Sequence, residues 1–296
     1  MNAARNTAVD CLPQATSGDE MTAPSGLVAY AKQLALRRGL DRLRPLAYVR
    51  STRVIRCLTF HYLFDRELDQ AFSLFRTLQS HGDFVTTADL LALLEHPAQI
   101  DGRLFHLSID DGFDNIATNA HAVLRELGIP FTFFICPDLV DDGEDGMERL
   151  RVNAGYRRTL ALAGWQTLRA LAQDGVEIGS HTASHRNLAS LEADDDLDRE
   201  IARSKAKIEQ RLGRPCPSFA WPFGRLDAMT PRALAKARDA GHSAIFSSVR
   251  GSLRANQGVP AYLPRHHFEP SWPETAVVYY ATRQEKCFTV DAQFSA

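Results

Sequence analysis

Short apolar runs alternate with helical stretches along most of the chain. Val54 to Phe60 is the first good strand, and it ends at His61. From Leu68 to Leu78 apolar residues recur at helical spacing, through Phe72, Phe75 and Leu78. Phe84-Val85 is a brief extended piece, and Thr87 caps a helix through Glu95. Leu104 to Ile109 reads as a strand buried on both faces. Ile116, Ala120, Val123, Leu124 and Leu127 form a helical stripe that Gly128 stops. Pro130 to Cys136 is another buried strand. Residues 138–160, rich in Asp, Gly and Arg, predict an irregular rim or lid loop. Trp165 to Ala172 is a helix closed by Gly175, and it leads into a short strand, Val176 to Ile178. Asp194 to Leu212 is amphipathic over its whole length. Ser218 to Trp221 is a strand that meets Pro222-Phe223-Gly224. Thr230-Pro231 supplies a cap and a first helical residue, with Gly241 past the end. Ser243 to Ser247 and Ala261 to Leu263 predict two more strands, and Pro273 to Lys286 a closing helix.

Strand–helix units of roughly 30 residues predict an α/β fold with a parallel sheet. Polar motifs at strand C-terminal ends make a single (β/α) barrel the natural container. The expected boundaries are a disordered start plus a basic, partly helical segment over 1–50, the barrel over 51–270, and a C-terminal helix and tail over 271–296. Lys32 to Arg56 holds eight Lys and Arg residues against the single acid Asp41. One reading is a solvated helix beside the barrel. The other is docking on an anionic membrane surface or a lipid-linked, polyanionic substrate. The net charge of −2 argues against nucleic acid as a partner. The five cysteines include no C-x-x-C pair, and the N-terminus lacks the apolar core of a signal peptide. A cytoplasmic location, or a peripheral one at the inner face of the membrane, is therefore expected.

The chemistry concentrates at three strand ends. Ile109 runs into Asp110-Asp111-Gly112. Adjacent aspartates there are unfavourable unless something positive lies near them. His181-Thr182-Ala183-Ser184-His185 follows the strand at Val176. One aspartate and two histidines make three N/O ligands with a position free for water. Zn2+ suits two imidazoles and one carboxylate; Co2+, Ni2+ and Fe2+ also fit. His61 either lines the pocket or is a hydrogen-bonded core histidine. Trp221 is either a hydrophobic wall for a sugar ring or core packing.

These residues resemble a known family. Ser108-Ile109-Asp110-Asp111-Gly112 is similar to the T-F-D-D-G motif of the polysaccharide deacetylases (NodB homology, carbohydrate esterase family 4). His181 to His185 matches their H-[ST]-x-x-H. Phe219-Ala220-Trp221-Pro222-Phe223-Gly224 resembles F-R-P-P-Y-G, in the subset written F-A-[YW]-P-[FY]-G. The resemblance implies a distorted (β/α)7 barrel that removes an N- or O-acetyl group from a polymeric, oligomeric or lipid-linked saccharide. It makes Asp111, His181 and His185 the metal ligands and Asp110 the general base. It makes the Phe223 N–H an oxyanion donor and places Pro222 and Gly224 at the substrate. The family's third-motif arginine is Ala220 here, so another cation must orient the base: Arg265 first, Arg225 second. The family's late histidine has no clean match. Strand alternation through Leu263, Arg265 and His267 selects His267 over His266 as general acid. Alternatives with the same residues are a deformylase or other amidohydrolase, and an inactive glycan-binding member, to which the missing arginine lends footing.

Overall fold

The computed structural model describes residues 54–95, 102–157, 160–254, 257–283 and 287–294. The expected disordered start, the basic helix and its anionic membrane surface lie outside these residues, save for Val54 to Arg56. Arg56 is not on a solvated face. It sits in the first strand, buried, and donates to His266 Nε2 (2.9 Å) and to the Arg283 carbonyl (2.8 Å).

Eight strands form one sheet: β1 (Val54–Phe60), β2 (Asp83–Val85), β3 (Arg103–Ile109), β4 (Thr132–Ile135), β5 (Glu177–Ser180), β6 (Ser218–Ala220), β7 (Ala244–Phe246) and β8 (His266–His267). The order is β7-β6-β5-β4-β3-β1-β8, with β2 also beside β3, and every ladder is parallel. The helices are α1 (Leu68–Gln79), α2 (Thr87–Glu95), α3 (His121–Glu126), α4 (Pro137–Ala154), α5 (Trp165–Gln173), α6 (Asp194–Asp198), α7 (Ser204–Leu212), α8 (Pro231–Asp239) and α9 (Glu274–Thr282). Parallel neighbours need crossovers, and these helices supply most of them. The result is a curled α/β barrel of the expected distorted (β/α)7 kind.

β3 shows how the pattern positions the site. Its odd positions, Phe105, Leu107 and Ile109, are apolar and pack in the layer under the helices. Its even positions point into the bore: His106 stacks on Phe246 (5.0 Å between centroids), and Ser108 meets Arg265. The run is buried on both faces as expected, but one face is polar and hydrogen-bonded. The bore therefore holds polar anchors that a wholly apolar interior could not offer.

The barrel closes through the segment after residue 262. Leu263 N donates to Ile245 O (2.7 Å), Ser247 N to Leu263 O (2.8 Å) and Arg265 N to Val249 O (3.0 Å). Phe268 N then donates to Thr59 O (3.0 Å), and β8 pairs with β1. The chain thus passes from one edge of the sheet to the other. For that reason the expected strand at Ala261 to Leu263 is only a single bridge, Leu263 with Phe246, and the ladder forms later, at His266–His267.

Three further expectations are corrected. Residues 138–160 are not a lid loop: α4 fills Pro137–Ala154, with Pro137 in its first turn and a break at Gly143 (φ 56°). Its Leu139, Met147, Leu150 and Ala154 face the core, while the acids face solvent and mask the period. The cap of α2 is Thr86, reciprocally bonded with Asp89 (3.1 and 3.2 Å). Thr87 is buried instead, with its hydroxyl between His106 Nε2 (3.0 Å) and Thr132 (2.9 Å). The closing helix ends at Thr282 and docks on α1, where Ser73 and Thr77 donate to Glu274 (3.0 and 2.7 Å). No helix among the described residues is long and apolar enough to cross a membrane.

Candidate active site

Four residues other than glycine have a left-handed backbone among those described: Asp111 (φ 74°), Thr182 (64°), His185 (59°) and Phe223 (66°). All four lie in the three motifs. Each such conformation costs on the order of 1 kcal/mol or more, so their clustering marks where the fold holds strain for a purpose. At the end of β3 the strain separates the two aspartates. Asp110 continues the strand direction, its N–H donating to Phe60 O (3.1 Å). The chain then turns at Asp111, which sends the second carboxylate to the histidines.

Asp111, His181 and His185 are each about 3% exposed. His181 Nε2 and His185 Nε2 lie 3.3 and 3.2 Å from the same oxygen, Asp111 Oδ1. The ligand atoms of the three residues fall within 4.8 Å of one another. His181 Nδ1 is 2.7 Å from the Ala220 carbonyl, which can only accept. Nδ1 therefore carries the proton, and in the neutral ring Nε2 presents a lone pair to the carboxylate. The other Asp111 oxygen, Oδ2, accepts from the Tyr156 hydroxyl, whereas Oδ1 has no hydrogen-bond partner among the described residues. A buried carboxylate oxygen facing the lone pair of His181, with the His185 nitrogen equally near, is stable only with positive charge between them. A divalent ion fits that donor set.

Burial, with the Asp111 charge beside it, pushes the Tyr156 phenol well up, so it stays a donor. The loop between the histidines is fixed from behind by fully buried Glu200, which accepts from Ser184 N (2.9 Å) and Ser184 Oγ (2.6 Å). Thr182 Oγ1 accepts from His185 N (3.0 Å).

Asp110 is clamped by Arg265, whose Nη1 and Nη2 donate to Oδ1 (2.7 Å) and Oδ2 (2.9 Å). The guanidinium is fully buried. It also donates to Ser247 O (2.7 Å), Ser108 Oγ (3.0 Å) and Thr59 Oγ1 (3.3 Å), over the rings of Phe134 and Phe246. Burial would raise the Asp110 pKa, but the Arg265 charge outweighs it and lowers the group. The arginine missing at Ala220 is thus supplied from the barrel's closing segment. Arg225, the second choice, is exposed and paired with Asp227 (3.0 Å).

At the mouth, His267 Nε2 and His61 Nδ1 approach one oxygen of Glu269, Oε1, at 2.6 and 3.1 Å. His267 is partly exposed. His266 is buried on the other side, against Arg56 and Gly251. Phe223 is half-buried, its ring 5.2 Å from His185, and its N–H has no hydrogen-bond partner among the described residues.

Trp221, Pro222 and Gly224, expected at the substrate, are packed inside the fold. All three are buried; Trp221 is fully so, donating to Arg225 O (2.9 Å) and packing edge-on against Tyr262. The left-handed turn at Phe223 and Gly224 folds them beneath the site. Tyr156, Glu200 and Glu269 were missed by the sequence reading. Tyr156 carried no signal there, because it lies 45 residues from Asp111 and outside every motif. Glu269 had one: it stands two residues after His267, on the same alternation that selected His267.

A curled parallel barrel thus carries a carboxylate–imidazole tripod and a clamped carboxylate at its strand ends. Residues 99–245 match the family model for polysaccharide deacetylase, so the chain carries that family's domain. Among solved structures it is similar to IcaB from Ammonifex degensii (TM-score 0.59, 22% identity, covering 77% of this chain and 98% of that one). It is also similar to the Streptococcus pyogenes deacetylase PplD in complex with acetate (TM-score 0.62, 16% identity, 78% and 99% covered). These likenesses establish the fold. Among curated proteins it matches a gellan lyase from Bacillus sp (29% identity over 120 residues, 40% of this chain and 4% of that one). It also matches YxkH of Bacillus subtilis, provisionally named a polysaccharide deacetylase (23% over 155 residues, 52% and 48%). The chain thus spans about half or less of these two relatives.

Proposed function

We propose that this protein is a metal-dependent deacetylase that hydrolyses the N-acetyl group of an amino sugar in a saccharide chain or lipid-linked unit. The observation that carries the reading is the orphaned Oδ1 of Asp111 facing two imidazole Nε2 atoms, next to a carboxylate that Arg265 clamps. Asp111, His181 and His185 would hold the ion, with Zn2+ the natural occupant of such a set. When bound there, it supplies Lewis acidity that polarises the acyl oxygen and eases deprotonation of water.

The remaining work falls to the chain's own groups. Asp110, held ionised and aimed by Arg265, takes the proton of the attacking water. The free Phe223 N–H donates to the oxyanion of the tetrahedral intermediate; one such donor is typically worth ~3 kcal/mol. His267, steadied by Glu269, gives a proton to the departing amine, and acetate leaves. Arg265 is a positioning residue, and its presence removes the main ground for an inactive, glycan-binding reading.

The test is acetate release from a panel of acetylated amino sugars, lipid-linked saccharides and polymers, using protein stripped and then reloaded with Zn2+. Activity should appear only on reloading. Asp110→Asn should keep the metal and lose turnover by roughly 100-fold or more. Undiminished acetate release from Asp110→Asn, or from stripped protein, would refute the reading.

A further inference from the structure

The group at the mouth holds one side chain more than proton delivery requires. His267 and Glu269 suffice as an acid and its support, which leaves His61 with no task. Yet its place is set by the sheet. His61 follows the last residue of β1, and Thr59 pairs with His267 across β1 and β8, so the two imidazoles stand on neighbouring strand ends. Their rings are 4.9 Å apart and tilted by 64°.

Both rings aim a nitrogen at a single carboxylate oxygen rather than at one each: His61 Nδ1 and His267 Nε2 reach Glu269 Oε1 at 3.1 and 2.6 Å. Glu269 is only 2% exposed, and its other oxygen, Oε2, is buried without a hydrogen-bond partner among the described residues. One ligand atom from each of the three lies within 4.8 Å of the others, as in the Asp111 tripod. The imidazoles are open to solvent on one side, with side-chain exposures of 22% and 34%, so an ion could enter. Two imidazole nitrogens and one carboxylate oxygen favour a borderline transition ion over Mg2+ or Ca2+, which prefer oxygen ligands.

We propose that His61, His267 and Glu269 form a second divalent-ion site, filled when metal exceeds the Asp111 site, and that its filling stops turnover by engaging His267 Nε2. The inhibitory half rests on the deacetylase reading; the binding half does not. Binding should be weaker here than at the Asp111 tripod. The ion must displace two existing hydrogen bonds, and the partly exposed rings can turn towards water. Zn2+ in excess would then act as a brake on an enzyme that needs Zn2+ to work.

The experiment counts bound Zn2+ by equilibrium dialysis of the full chain and measures acetate release across the same titration. Thermal melts verify that each variant is folded. Wild type should bind one equivalent tightly and a second more weakly. As the second binds, activity should fall by roughly 100-fold, the scale of a lost general acid. Glu269→Gln and His61→Phe should each bind only the first equivalent, and His61→Phe should lose the inhibition by excess Zn2+. A single equivalent in wild type, or a second that persists in both variants, overturns the site. A second equivalent that binds without inhibition overturns the brake. Absence of acetate release even at one equivalent overturns the deacetylase reading and leaves the two-ion count standing on its own.

Discussion

Removing the Arg265 guanidinium tests the most consequential contact in the barrel. Arg265→Met keeps much of the side-chain volume but deletes five hydrogen bonds and strips the buried Asp110 carboxylate of its paired charge. Breaking a buried pair from one side typically costs ~3–5 kcal/mol, because the surviving charge is uncompensated. With a urea m-value of ~2.5 kcal/mol per M, a loss of ~4 kcal/mol moves the unfolding midpoint down by roughly 1.5 M. Arg265→Lys should recover only part of this, since one ammonium cannot reach both oxygens of Asp110 and the Ser247 carbonyl together.

The pH dependence has a definite sign. In wild type the Asp110 pKa is lowered, so the pair's stability is present above the ordinary carboxylate pKa and lost as pH falls through the native value. In Arg265→Met the opposition to burial falls to the weaker pull of His181 and His61, so the pKa rises and mild acid should narrow the gap between variant and wild type. The assay is urea unfolding at pH 5 and 7, with Asp110→Asn and the double variant closing a thermodynamic cycle. A unit of two groups predicts coupling of ~1–3 kcal/mol. If the two losses simply add, within ~0.5 kcal/mol, the clamp is not a unit and the argument fails.

Four other outcomes follow from single contacts. Tyr156→Phe frees Asp111 Oδ2 from its donor, and should weaken Zn2+ binding ~10–100-fold in a chelator competition; unchanged affinity would remove Tyr156 from the site. Gly224→Ala places a Cβ 2.1 Å from Ser248 Oγ and 2.6 Å from Ser248 N at φ 66°, and should cost ~2–4 kcal/mol, read as a lowered melting temperature. Trp221→Phe should lower stability by ~1–2 kcal/mol and leave the KM of any accepted saccharide unchanged; a raised KM would return Trp221 to the substrate surface. Burial takes the His106 pKa down from 6.5 to about 3. The unfolded chain therefore binds the extra proton, and stability is lost as pH falls from ~6.5 towards ~3. Between pH 7 and 5 wild type should lose ~2 kcal/mol more than His106→Gln, whose side chain does not titrate; parallel losses would contradict the burial argument.

By itself the sequence determined most of the strands, nearly to the residue at Val54–Phe60, and the motifs at their ends; the closing ladder at His266–His267 it misplaced to Ala261–Leu263. Periodicity reports which face of an element is apolar, and a buried strand leaves a compact apolar signature. It also placed Asp110, Asp111, His181 and His185 on strand ends that a parallel sheet must bring to one rim. The arginine missing at Ala220 pointed to Arg265, and alternation from it selected His267 over His266. Where charge masked the period, in α4, the reading failed.

Only the tertiary structure decided the partners. Arg265 meets Asp110 across 155 residues of chain, Tyr156 meets Asp111 across 45, and Glu269 meets His61 across 208. Such pairings depend on how far the sheet curls and where its closing segment crosses from β7 to β1. The left-handed backbone at Asp111, His185 and Phe223 was equally hidden, since residues other than glycine adopt it only when surrounding contacts outweigh its local cost. Local pattern sets what each element presents; the curvature of the whole sheet sets what it faces.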